Sequence, residues 1–137
     1  MHRWNKKGLI FQPVAWPRWW LAEFAQAPCT LAFDDFVRVY FSGRPAPDAA
    51  GQYVSYSGFV DLDRSDLTRV LRVSEQPIFP LGATGEFDEF GTYPVSVCRE
   101  GDQVVAYYGG WTRCEAVPFD VAIGRAVLVA SSRVDVA

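Results

Sequence analysis

The chain carries one series of landmarks twice, about 67 positions apart, and this repetition constrains its fold more than any other property. Ile10-Phe11 returns as Ile78-Phe79, an offset of 68. Pro28, an apolar run and Asp34-Asp35 return as Pro94, an apolar run and Gly101-Asp102. Val37-Arg38-Val39-Tyr40-Phe41-Ser42-Gly43 returns as Val104-Val105-Ala106-Tyr107-Tyr108-Gly109-Gly110 at an offset of 67, and Gly58 returns as Gly124 at 66. Landmarks kept in one order at one spacing mark a duplicated structural unit. Such a unit leaves an apolar face that only a neighbouring unit can cover.

Each unit reads as β-structure. Val37 to Ser42 and Val104 to Tyr108 are short, rich in Val, Tyr and Phe, and bounded by Asp/Gly turns. Phe33-Asp34-Asp35-Phe36 and Glu100-Gly101-Asp102-Gln103 have the form of hairpin tips. Val54 to Asp61 and Phe119 to Val127 supply a third strand to each unit, and Leu67 to Val73 an outer fourth strand to the first. Arg44 to Gly51 and Pro80 to Gly91 are loops. Only Trp16 to Phe24 has the makings of a short helix, with Pro17 in its first turn. Repeat one then covers residues 4–73 and repeat two residues 74–130. Four short strands per unit, with long loops on one face, fit a propeller blade. A solenoid would want shorter, more uniform repeats, and a sandwich would not require repetition.

Composition closes off several classes. At 137 residues, half of them apolar and 15% aromatic, the chain suits one folded domain. A net charge of -3 gives no footprint for nucleic acid, and Lys6-Lys7 is too little for a membrane patch. The N-terminal residues lack the apolar core of a signal peptide, and Arg125 interrupts the apolar run near the end. Three cysteines without an export signal argue for reduced thiols in a cytoplasmic setting, with Cys29 and Cys98 as small buried hydrophobes. No cofactor or metal is called for. Asp61 to Asp66 imitates a calcium loop but lacks the sixth-position glycine, and its twelfth position is Arg72.

Trp4-x-x-x-Gly8-Leu9-Ile10-Phe11, Val37 to Arg44 and Gly58-x-x-Asp61-Leu62-Asp63 together resemble the opening blade of a five-bladed glycosidase propeller. Pro77-Ile78-Phe79, Gly85 to Gly91, Tyr107 to Trp111 and Ala122-Ile123-Gly124 continue the resemblance. The relatives implied are the predicted glycosyl hydrolases related to glycoside hydrolase families 43, 32 and 130. The implied fold is all-β, with two four-stranded blades of a five-bladed β-propeller, and the implied partner is a carbohydrate. Such families place an essential acid near the inner strand of each of the first three blades. Here the matching positions read Ala25-Gln26-Ala27-Pro28 and Gly91-Thr92-Tyr93-Pro94. A closed ring of five such repeats needs roughly 300 residues, so the resemblance implies a truncated or frameshifted end near Ala126.

Two functions stay open. One is a glycosidase-like domain, inactive alone, whose acid chemistry would fall to Asp88 or Glu89 in the Pro80–Gly91 loop. The other is a non-catalytic carbohydrate-binding module, with Gln26 and Tyr93 replacing acids, that closes its ring as a homo-oligomer. Arg44 offers a fork for a carboxylate or phosphate, or for a salt bridge between blades. Tyr93 and Trp111 offer flat faces for a pyranose ring. Glu86 shares the loop of Asp88, Glu23 reads as a surface acid, and Trp16, Trp19 and Trp20 form either a sugar platform or a packing cluster.

Overall fold

A computed structural model describes residues 2–128. After a single 3-10 turn at Pro13–Ala15 the described residues are all-β. Strands β1 (Glu23–Ala32), β2 (Phe36–Arg44), β3 (Tyr56–Asp63) and β4 (Val70–Val73) form one antiparallel sheet in chain order. Strands β5 (Gly91–Glu100), β6 (Gln103–Arg113) and β7 (Phe119–Val127) form a second. Both hairpin tips fall where the sequence places them: the Phe33 N–H donates to the Phe36 carbonyl, and Gly101 takes the left-handed φ of +59° at the β5–β6 turn. The second sheet has three strands among the described residues, one fewer than the sequence suggests, and residues 129 and 130 of repeat two lie outside them. No helix among the described residues is long and apolar enough to cross a membrane.

The repeat is structural as well as textual. In the first sheet Phe41 sits between Phe11, at 5.1 Å and 50°, and Trp20, at 6.0 Å and 32°. In the second, Tyr108 sits between Phe79, at 4.8 Å and 41°, and Phe87, at 5.9 Å and 31°. Phe11 and Phe79 were paired by sequence, and so were Phe41 and Tyr108; Trp20 and Phe87 share the same offset of 67. The third aromatic explains the repeated glycine. A Cβ on Gly58 would collide with the Trp20 ring, and one on Gly124 with Tyr108 and Phe87.

This packing corrects the helix expected over Trp16–Phe24. Trp20 and Leu21 are consecutive and both fully buried, Trp20 against Gly58 and Leu21 against Gly43. The segment instead turns at an Arg18–Leu21 bridge and enters β1 at Glu23. Trp19 remains 59% exposed, so the three tryptophans do not form one platform. Around Trp20 and Leu21 the core closes with Phe41, Val60, Leu62 and Val73. Cys29 and Cys98 are half-buried, less enclosed than their small size suggested, because each lies on the edge strand of its sheet.

The opposite face of the first sheet meets the second sheet. There Asp61, 3% exposed, receives Arg38 through two hydrogen bonds of 2.7 and 2.9 Å and Arg72 through two of 3.0 and 2.8 Å. The Arg38 guanidinium also lies 3.6 Å from the Phe59 ring centre. Asp61 is thus committed to arginines, while Asp63 and Asp66 each accept an N–H and a hydroxyl from the residue two positions on. Those bonds hold both carboxyls below the usual range and make a turn, not a calcium loop.

Replacing Gly58 with Ala forces a methyl group into the indole of Trp20. The urea midpoint should fall by the equivalent of about 1–3 kcal/mol with little change in slope. An unchanged midpoint would mean that Trp20 is not seated on this glycine.

Candidate functional site

The start of β1 is irregular in a way that ordinary strands are not. Glu23 pairs with Arg44, Gln26 with Ser42 and Cys29 with Tyr40, so β1 spends three residues for every two of β2, twice in succession. Each step is a β-bulge that turns the strand and re-aims a side chain. Phe24 (φ 62°) and Ala27 (φ 52°) take the left-handed conformation, the two non-glycine residues among those described that do so. Such a conformation costs on the order of 1–3 kcal/mol and concentrates at functional sites. Gln26 lies between them.

Three of the sequence-derived site residues lie at this end of the molecule. The Ser42 hydroxyl, opposite Gln26, donates to the Thr92 carbonyl at 3.0 Å, which sets Tyr93 beside the end of β2. Burial pushes the Tyr93 hydroxyl up, and the nearby Arg44 charge partly offsets this. The Arg44 guanidinium lies 4.9 Å from the Phe24 ring centre and 5.2 Å from that of Tyr53. The two rings meet edge to face at 6.2 Å. The Arg44 Nε is enclosed without a hydrogen-bond partner. The Tyr53 hydroxyl donates to Glu23 at 3.1 Å, a bond that pushes its own pKa up. Arg113 donates to the Tyr53 carbonyl at 3.0 Å and stacks 4.1 Å from the Phe90 ring centre. A surface depression of about 590 Å³ runs along Glu23, Phe24 and Ala25, with Phe11 and Val14 on its other wall.

Sequence reasoning missed Phe24, Tyr53 and Arg113. The signal for Tyr53 was an aromatic residue just after the Pro-rich loop of Arg44. Phe24 was hidden inside the expected helix.

Trp111 has a different place. Its Nε1 donates to the Ser55 hydroxyl at 2.8 Å and its ring lies against Phe90, so it helps join the sheets.

Asp88 and Glu89 do not join this group through any contact. Asp88 is 7% exposed and accepts the Tyr108 hydroxyl at 2.9 Å, while its backbone carbonyl takes the Gly82 N–H. Glu89 accepts the Gly85 N–H at 2.9 Å, and Glu86 the Ala83 N–H at 2.7 Å. All three carboxylates hold the Pro80–Gly91 loop in shape.

The Tyr108 hydroxyl is pushed up to about 12, by burial first and then by its bond to Asp88. In the unfolded chain it would titrate near 10. Its contribution to stability is therefore intact below about pH 10 and is lost as pH rises toward 12. A spectroscopic tyrosinate titration should show a last component at about pH 12, later than the other raised tyrosines; Tyr108→Phe removes it and Asp88→Asn shifts it downward. A single transition near pH 10 for all tyrosines would contradict this arrangement.

No protein-family model and no solved structure matches the chain. Two uncharacterized proteins of Mycobacterium tuberculosis, MT1551 of strain CDC 1551 and Rv1502 of strain H37Rv, are each 35% identical to it over 124 residues. The match takes in 90% of this chain and 40% of each relative, so the chain spans well under half the length of the curated relatives it matches.

Proposed function

We propose that the chain is two blades of a propeller-type, glycosidase-like domain and that it recognises a carbohydrate at the bulged start of β1. The observation that carries this reading is the strained Phe24–Ala27 segment, which brings Gln26 into the same end of the molecule as Arg44 and Tyr93. Gln26 and Tyr93 stand where the resembling families carry acids. An amide can bridge sugar hydroxyls, and a half-exposed tyrosine offers a face and a polar tip. Neither supplies the carboxylate pair that flanks a glycosidic bond during cleavage. Asp88 and Glu89 are occupied in shaping their loop. Recognition is accordingly the favoured role of these residues, and hydrolysis a property of longer proteins at most.

One feature favours the reading in which copies assemble. Phe119, Val121 and Ile123 alternate along β7 and so share one face, with exposures of 57%, 47% and 80%. Val95 of β5 is also 61% exposed. An apolar sheet face of this kind marks an interaction surface, and a further blade would cover it.

Calorimetric titration with a panel of soluble oligosaccharides tests the reading. Gln26→Ala and Tyr93→Ala should each weaken binding about tenfold, the loss of roughly one or two hydrogen bonds or a stacking contact. Glu89→Gln should leave affinity within about twofold. Light scattering on the same samples should report a defined oligomer if copies cover the β7 face. Absence of saccharide binding, or binding abolished by Glu89→Gln and indifferent to Gln26, would overturn the assignment.

A further inference from the structure

We propose that the saccharide taken at this end carries a carboxylate group and that Arg44 receives it. The proposal rests on the carbohydrate reading above and specifies its ligand class.

Arg18, Arg38, Arg69, Arg72 and Arg125 each have a carboxylate oxygen within 3.0 Å. Arg44 has no such partner among the described residues, although it is half-buried and its Nε is enclosed. The carboxylate directly across from it, Glu23, accepts the Tyr53 hydroxyl instead. Arg3, Arg64, Arg99 and Arg113 are likewise without a carboxylate partner among the described residues; of these, Arg113 belongs to this group, held by the Tyr53 carbonyl and the Phe90 ring. The group therefore holds two cations against one anion, in a chain whose net charge is -3. A partly desolvated cation that no carboxylate bonds is costly, and a bound anion relieves that cost.

The placement of the fork narrows the ligand. Phe24 and Tyr53 flank the guanidinium, which restricts its orientation before any ligand arrives. With Nε enclosed, the terminal nitrogens meet the anion. Their planar pair of donors matches the two oxygens of a carboxylate. Thr92, bonded to Ser42 two residues before Arg44, puts Tyr93 at the same end of the molecule, toward which a sugar ring held at Arg44 would extend.

The test uses the full chain and an array carrying oligohexuronates, their methyl esters and neutral and phosphorylated oligosaccharides. The ester differs from the acid by the loss of charge, so the comparison isolates the carboxylate. Wild-type protein should bind the acid at least about tenfold more tightly than its ester. That preference should collapse to within about twofold in Arg44→Gln and persist in weakened form in Arg44→Lys, which keeps the charge without the fork. Equal binding of acid and ester would overturn this proposal and leave the carbohydrate reading standing. A preference for phosphorylated sugars, or an acid preference undiminished in R44Q, would also overturn it. Failure to bind any saccharide would remove the carbohydrate reading and this proposal with it. The acid–ester comparison is made on the wild-type chain, so it tests the carboxylate even if R44Q does not fold, and R44K then tests the fork.

Discussion

Thr92 joins the two sheets through both its carbonyl and its hydroxyl, and the place of Tyr93 at the end of β2 follows from that junction. The carbonyl accepts the Ser42 hydroxyl, and the side chain shares a 3.0 Å hydrogen bond with the Ser57 hydroxyl. Alongside it, the Ser55 N–H donates to Phe90, the Thr92 N–H donates to Ser55, and Trp111 donates to the Ser55 side chain. Ser42, Ser55, Ser57 and Thr92 are all fully buried. Small hydroxyl residues let the strands approach closely, and burial obliges each hydroxyl to find a partner. A slip of one residue would leave several of them unpaired in the interior. One register survives, and it sets Tyr93 of β5 beside Arg44 of β2.

Away from this seam the two units are built alike, and where they differ the difference is coupled. Leu21 and Asp88 hold equivalent places, 67 residues apart, and so do Phe41 and Tyr108. In the first unit both are apolar and buried. In the second, the carboxylate and the hydroxyl appear together and satisfy each other at 2.9 Å. Without Tyr108 the buried Asp88 carboxylate would lose this partner. This gives Asp88 a physical reason to be there that has nothing to do with acid catalysis.

The strands and hairpins were legible because they obey local rules. Val37–Ser42 alternates and carries β-branched and aromatic residues, and Gly101-Asp102 marks a turn without help from tertiary contacts. The Trp16–Phe24 segment was misread as helical because its proline and apolar residues fit a helical turn. Only the glycines of β2 and β3, distant in sequence, draw Trp20 and Leu21 away from that conformation. The site was half legible. Gln26 and Tyr93 were found by their place before the repeat prolines, and Arg44 by its position at a loop. The bulges, the left-handed Phe24 and Ala27 and the Tyr53–Glu23 bond were not, since each depends on how β1 meets β2. The serines of the seam look in sequence like ordinary turn or surface residues, and only sheet-to-sheet contact shows their role.

The proposed binding site spans both sheets at the bulged end of β1. Amide chemical shifts recorded during titration with a bound saccharide test it most directly. The account predicts that Gln26, Arg44 and Tyr53 of the first sheet's end shift together with Tyr93 of the second, along one binding curve. Shifts confined to the Pro80–Gly91 loop, or to one sheet alone, would contradict it.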